Sequence, residues 1–386
     1  MKILFVSTYP PTKCGIATYT KHLRSGMMRS KALPASALPV LSVYPEQWTL
    51  STPEITPLSK TDLSGYRAAA EWVNASDIDV VSLQHEFGIF GGEAGEYILH
   101  FLDALKKPVV TTFHTVFPEE RLPYTPVQRE ILERSTRIVV MNRLGIDWLK
   151  KVFGVDESLI DYLPHGAPEP LHVDPAHLRS KWKLQGRKVL LTFGLLSPGK
   201  GIDQFLDILS MIVPYAPDVL YVIAGLTHPE VKKREGEAYR QQLQDRIESL
   251  HLNDHVRFIN RFFSEEELTE LLTVTDLYIS PYPGMAQITS GTLAYAVGLG
   301  RPIVTTPYAY ARDVLRDFPD LTIPYGAKRQ WAEKIIELLT DQEVHRSIEQ
   351  RMQLLGRTMR WPFVGRLFFT MLQKLMNHRG ALIRHG

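Results

Sequence analysis

A single cysteine, Cys14, stands in 386 residues, so the chain builds no internal disulfide and suits a reducing compartment. No apolar run approaches the roughly 20 residues of a membrane-spanning helix. The opening run, Ile3 to Val6, meets Pro10-Pro11 too soon to be a signal-peptide core. A cytoplasmic protein is expected. An excess of charge of one sign is also missing: the formal net charge is +2, which argues against a nucleic-acid binder. Without cysteine pairs, no metal is expected. A Gly-x-Ser-x-Gly elbow is missing, which removes support for serine hydrolysis. So is a Gly-Lys-Ser/Thr ending, which excludes a Walker A loop.

What is present is an ordinary globular composition, 44% apolar and 22% charged, in a chain too long for one typical core. Basic residues gather near the start, at Lys13, Lys21, Arg24, Arg29 and Lys31, and again at Arg379 and Arg384. A solvated surface explains them; a weak peripheral contact with an anionic membrane face is the alternative.

Strands and helices alternate. Strands are predicted at Lys2–Ser7, Asp79–Gln84, Pro108–Phe113, Arg137–Met141 and Leu159–Leu163. Between them, helices are predicted at Ile16–Met28, Leu63–Asn74, Glu93–Leu105, Val127–Ser135 and Asn142–Phe153. The segment 32–77 otherwise reads as short strands and loops. Pro164–Gly186 holds four prolines and reads as a linker with a short helix inside. The alternation then restarts, with strands at Lys188–Phe193, Val219–Ala224, Val256–Asn260 and Asp276–Pro281. A long helix is expected over Glu230–Leu250 and a capping box at Ser264–Glu267. Further on come a helix near Tyr310–Arg316, a short strand at Leu321–Pro324 and three closing helical segments. The pattern means an α/β chain of two doubly wound parallel sheets with a cleft at the strand C-termini. Boundaries are expected at 1–170 and 171–361, with a helix over about 362–386 rejoining the first domain.

The organising stretch is Gly284–Val314, GMAQITSGTLAYAVGLGRPIVTTPYAYARDV. Thr289, Ser290 and Gly291 can open a helix with free amides, and its dipole and unpaired N–H groups favour an anion. A second loop, Gly194-Leu-Leu-Ser-Pro-Gly-Lys200-Gly201, also follows a strand and precedes a helix. Lys200 offers a point charge for phosphate. Two such loops on one sheet edge suit a diphosphate, such as a nucleotide sugar carries. In the first half, His85 and Glu86 in HEFG, and His114 in TTFHT, follow strands. A histidine there can donate to a sugar hydroxyl, or can simply pack. Gly15 beside the first strand would allow a ligand close to the backbone.

Together ILFVSTYPP, HEFG, TTFHT, LPHG, TFGLLSPGKG, VIAG, VRFINRF and GLGRPIVTT resemble a family 4 glycosyltransferase of the GT-B fold over nearly the whole length. The resemblance implies a retaining, nucleotide-sugar-dependent and metal-independent transferase with no cofactor. Its partners would be a nucleotide-diphosphate sugar carrying mannose or glucose, and a hydroxyl acceptor. By resemblance, Lys200 would hold the diphosphate and His114 would face the donor sugar. Gly15 would lie near diphosphate and acceptor, with His85 and Glu86 on the acceptor side. Gly194, Ser290, Gly291 and Thr292 would present backbone to phosphate. The chain departs from the pattern at Leu195, where the family carries Arg. It also has Gln287 and Tyr295 in place of a glutamate pair eight positions apart. Gln287 is expected to bond the sugar, Tyr295 to lie near the ribose, and Arg261 to replace the missing cation. His228, Glu235 and Glu237 form a further charged group, read first as a solvated helix face. Two rivals stay open: a phosphorylase or epimerase of the same fold, and a non-catalytic nucleotide-sugar binder.

Overall fold

The computed structural model describes residues 1–44 and 52–385, with side chains as far as residue 377. Arg379 and Arg384 therefore lie outside the described side chains. The chain divides into two compact units, Met1–Gly166 with Trp361–Gly386, and Ala167–Arg360.

The first unit carries β1 (Ile3–Ser7), β2 (Val40–Tyr44), β3 (Ile55–Ser59), β4 (Val80–His85), β5 (Val109–Phe113), β6 (Arg137–Val140) and β7 (Ile160–Tyr162). They form one parallel sheet in the order β3-β2-β1-β4-β5-β6-β7. Every residue of β1, β4 and β5 is buried, as a parallel sheet covered on both faces requires. Strand order reverses between β1 and β4, so the loops after these strands flank the switch point, where open α/β sheets take ligands.

The last helix, Trp361–His385, belongs to this unit because two glycines meet. A Cβ on Gly26, in helix Gly15–Lys31, would stand 2.3 Å from the Trp361 carbonyl oxygen. One on Gly365 would stand 2.4 Å from the Met27 amide. Only backbone-to-backbone packing fits there.

The second unit carries β8 (Lys188–Phe193), β9 (Val219–Ala224), β10 (Val256–Ile259), β11 (Leu277–Ser280) and β12 (Ile303–Thr305). Its parallel order is β10-β9-β8-β11-β12, so the switch point falls between β8 and β11. The Ser264 capping box is present in full.

Several local expectations need correction. The helix expected at Glu93–Leu105 is a 3-10 turn at Glu93–Gly95 and a separate helix, Ile98–Ala104, because Ala94 adopts a left-handed φ of 54°. The long helix expected at Glu230–Leu250 is two, Pro229–Glu235 and Ala238–Ser249, broken at Gly236 with φ 63°. Leu321–Pro324 makes no strand, only a single bridge from Thr322 to Thr305. The helix expected from Val127 starts at Tyr124, since Pro126 sits in a first turn that needs no N–H from it. Arg24 leaves the basic surface: its buried guanidinium donates to the Leu38 and Ala35 carbonyls.

Candidate functional site

In the second unit, the loops after β8 and β11 meet at the switch point. Gly201, at φ +63°, lets them close up, because a Cβ there would lie 2.0 Å from the Pro281 carbonyl oxygen. Gly194, at φ +116°, brings its loop against Thr292, whose Cγ2 would be 3.2 Å from an added Cβ. The Lys200 ammonium then donates to the Tyr282 hydroxyl at 2.5 Å and lies 4.5 Å from the centre of its ring. Tyr282 is 3.0 Å from the Thr292 hydroxyl, which is 3.2 Å from that of Ser290. Burial alone would raise the Tyr282 phenol; the Lys200 charge and the hydrogen bonds from Lys200 and Thr292 hold it below its ordinary value.

Ser290 is the N-cap of helix Gly291–Gly298, and its hydroxyl accepts from the Leu293 amide. Among the described residues, the Gly291 and Thr292 amides have no protein acceptor, and Lys200 has no carboxylate partner. A cation and two open amides at a helix N-terminus make an anion-binding constellation. The sequence pointed to Gly194, Lys200, Ser290, Gly291 and Thr292, and the fold gathers them. It gave no signal for Tyr282, whose place depends on β11 lying beside β8.

Other candidates fall elsewhere. Gln287 is exposed, and its Nε2 donates back to the Thr289 carbonyl at 2.8 Å. Tyr295 is buried in the helix, with its hydroxyl donating to Glu265 at 3.2 Å. A carboxylate thus reaches the neighbourhood of Tyr295 from a different helix. Arg261 follows the edge strand β10; its guanidinium pairs with Glu267 at 2.6 Å and covers the Phe263 ring. It does not join the Lys200 cluster, from which β9 separates it. In the charged group, Glu237 accepts from Thr227 and pairs with Lys232 and Arg240, while His228 caps a helix. These are bonds that tie the loop after β9 together.

In the first unit, Gly15 is the first residue of helix Gly15–Lys31, with Cys14 as N-cap. A Cβ on Gly15 would meet nothing within 4 Å, and its φ is not positive. The fold itself gives no reason for glycine here. His114 is buried beside Tyr19, with ring centroids 4.7 Å apart. Its Nε2 donates to the Gln84 side-chain carbonyl at 3.0 Å, which leaves Nδ1 with the lone pair. Burial first, then the nearby His165 and His85, lower its pKa to about 3, so the ring is neutral.

Glu86 accepts from the Thr115 hydroxyl at 2.7 Å and the Phe87 amide at 3.1 Å. Burial raises its carboxyl against both bonds. His85 is a correction. It ends β4 rather than opening the loop, so its side chain alternates to the face opposite Gln84. It is fully buried among Phe87, Phe90 and Phe113, and neither ring nitrogen has a partner. Burial lowers its pKa to about 3. Among the described residues, no three His, Cys, Asp or Glu side chains gather as a metal-ligating group. No described helix is long and apolar enough to cross a membrane.

Two doubly wound parallel sheets, each with its switch-point loops, place the molecule in the GT-B class. Residues 175–354 match the family "Glycosyl transferases group 1", and residues 42–169 match "Glycosyltransferase Family 4". The chain belongs to this glycosyltransferase family. Spore coat protein SA of Bacillus subtilis is 28% identical over 174 residues, covering 43% of this chain and 43% of that protein. Mannosylfructose-phosphate synthase of Agrobacterium fabrum is 26% identical over 190 residues, covering 47% of this chain and 40% of that protein. The chain thus spans less than half the length of either relative. Anabaena HepE, solved in complex with UDP, superposes with a TM-score of 0.75 at 13% identity, covering 97% of this chain and 100% of that one. At that identity the likeness is one of fold.

Proposed function

We propose that this protein is a retaining glycosyltransferase that moves a hexosyl group from a nucleotide-diphosphate sugar to a hydroxyl acceptor, without metal or cofactor. One observation carries the reading: Lys200, with no carboxylate partner among the described residues, joins the open amides of Gly291 and Thr292 through Tyr282 and the Thr292 hydroxyl. Such a site stabilises the charge that grows on a departing diphosphate, and being preorganised it needs no rearrangement as that charge develops.

In this reading the bond from sugar C1 to the diphosphate oxygen breaks. The acceptor oxygen bonds C1 on the same face, and its proton leaves with the diphosphate. The second unit takes the donor, with Gly194, Lys200, Ser290, Gly291 and Thr292 on the diphosphate. Tyr295 with Glu265 stands toward the nucleoside and Gln287 toward the sugar. The first unit takes the acceptor, with His114 supplying a neutral hydrogen-bonding ring and Gly15 a close backbone approach. HepE has been solved with UDP-glucose, which makes UDP-glucose the first donor to try and GDP-mannose the second.

The test is a thermal-shift series with UDP, GDP, ADP and their glucose and mannose conjugates, on wild type and Lys200→Ala. A ligand bound only to the folded state raises the melting temperature. One base should stabilise the wild type, and Lys200→Ala should lose the shift. No shift with any nucleotide overturns the reading. Release of nucleoside diphosphate without added phosphate separates transfer from phosphorolysis.

A further inference from the structure

The first unit holds a cavity of about 510 Å³ at the ends of β4 and β5, within the range of small-molecule sites. Its walls include Phe87, Phe117 and Tyr124, which pack as one aromatic group. Phe87 and Phe117 stack with centroids 5.7 Å apart, and Phe87 lies 4.8 Å from Tyr124. Three charged side chains also line it: Glu86, Lys60 and Arg121. The Arg121 guanidinium lies 5.0 Å from the Phe117 ring centre and 5.7 Å from that of Tyr124. Lys60 donates to the Gly88 carbonyl at 2.8 Å. Among the described residues, neither cation has a carboxylate within ion-pair distance, while Glu86 is held by Thr115 and the Phe87 amide. Among the described residues the cavity therefore carries two cations without a carboxylate partner and one fixed carboxylate, against aromatic walls.

The rim is preorganised. Tyr66 donates to the Lys60 carbonyl and accepts from the Gly91 amide, both at 3.2 Å, tying the loop after β3 to the loop after β4. Ala94, another lining residue, is held at a left-handed φ of 54°, a conformation that costs a non-glycine residue energy and recurs at ligand sites.

We propose that this cavity binds the acceptor as an anionic sugar: a hexose-sized ring bearing a phosphate or a carboxylate. The proposal rests on the transferase reading above and names the acceptor class for it. The aromatic faces take the apolar face of the ring, and Glu86 accepts from a ring hydroxyl. Lys60 and Arg121 take the anion, where a planar guanidinium offers two parallel donors to either oxyanion. A neutral sugar would leave both cations unpaired, so the charge is the discriminating feature.

The test is ligand-observed NMR and calorimetry on the full chain with glucose 6-phosphate, glucuronate, glucose and inorganic phosphate. Wild type, Arg121→Met and Glu86→Gln are compared, with UDP binding measured in parallel as the control. Glucose 6-phosphate or glucuronate should bind, and which one binds tells phosphate from carboxylate. Glucose should bind far more weakly. Arg121→Met should weaken the anionic ligand roughly 10- to 100-fold, as loss of a charge-assisted hydrogen bond does, with UDP affinity unchanged. Glu86→Gln should weaken the anionic sugar but not inorganic phosphate. Glucose binding as well as its anionic forms, or Arg121→Met leaving affinity intact, overturns the proposal. If UDP binds and no anionic sugar does, this inference fails alone. If no nucleotide binds either, the transferase reading fails with it.

Discussion

Lys200 donates to the Tyr282 hydroxyl at 2.5 Å across a separation of 82 residues. The bond joins the loop after β8 to the loop after β11, and those strands are neighbours only because the sheet order reverses between them. Among the described residues Lys200 has no carboxylate partner, so its positive charge stays available to a ligand. Lys200→Ala should therefore lower kcat/KM by about 10²- to 10³-fold, the usual scale for removing one preorganised charge stabiliser. Tyr282 keeps its Thr292 contact in the variant, so the melting temperature should move little. Steady-state kinetics beside a thermal melt reads both; an unchanged kcat/KM removes Lys200 from the mechanism.

Two glycines should respond in opposite ways. Gly201→Ala forces a Cβ to within 2.0 Å of the Pro281 carbonyl at a φ of +63°, and should destabilise the protein by about 2 kcal/mol or more. Gly15→Ala meets open space and should leave stability unchanged or raise it by about 0.4–1 kcal/mol. Its turnover should nonetheless fall if a ligand approaches that backbone. Full activity in Gly15→Ala would show that no ligand comes close there.

Acid should loosen the first unit. His85, His114 and His165 are all buried there, with pKa values lowered by burial to about 3, 3 and 4. Released by unfolding, each would titrate near 6.5. The unfolded chain thus binds more protons between these values, so stability is fully present above about pH 6.5 and is lost as pH falls toward 3. Urea midpoints should drop steadily between pH 7 and pH 5. His85 has two unpartnered ring nitrogens, so His85→Leu should be neutral or stabilising at pH 7 and should flatten the acid dependence. An active His85→Leu enzyme would also confirm that this ring is packing, whereas a stable but inactive one would return it to the site.

The last helix depends on the Gly26–Gly365 contact. Gly365→Ala drives a Cβ to 2.4 Å from the Met27 amide, so the helices must separate. Limited proteolysis should then cut near Trp361 far faster than in wild type, with a lower melting temperature. Equal protection in both proteins would show that the helices can shift apart without detaching.

Much of the architecture was legible because it is local. Buried parallel strands read as short apolar runs, and helices announce themselves by caps such as Ser264 and Ser290. The two anion loops were visible for the same reason: glycine, a capping hydroxyl and one lysine at strand ends are chemical necessities of a backbone site. Where the reading slipped, one residue's φ decided, as at Ala94 and Gly236, or the alternation of a strand did, as at His85. What no stretch of sequence contained was the pairing of distant groups. Tyr282 beneath Lys200, Glu265 against Tyr295, and the cations around the Phe87–Phe117–Tyr124 walls all arise from strand order and helix packing. Sequence by itself determined the elements, the family and the loops that can bind an anion, because those follow from short-range geometry. Only tertiary structure decided which charges are left unpaired and where, because compensation is a property of neighbours in space.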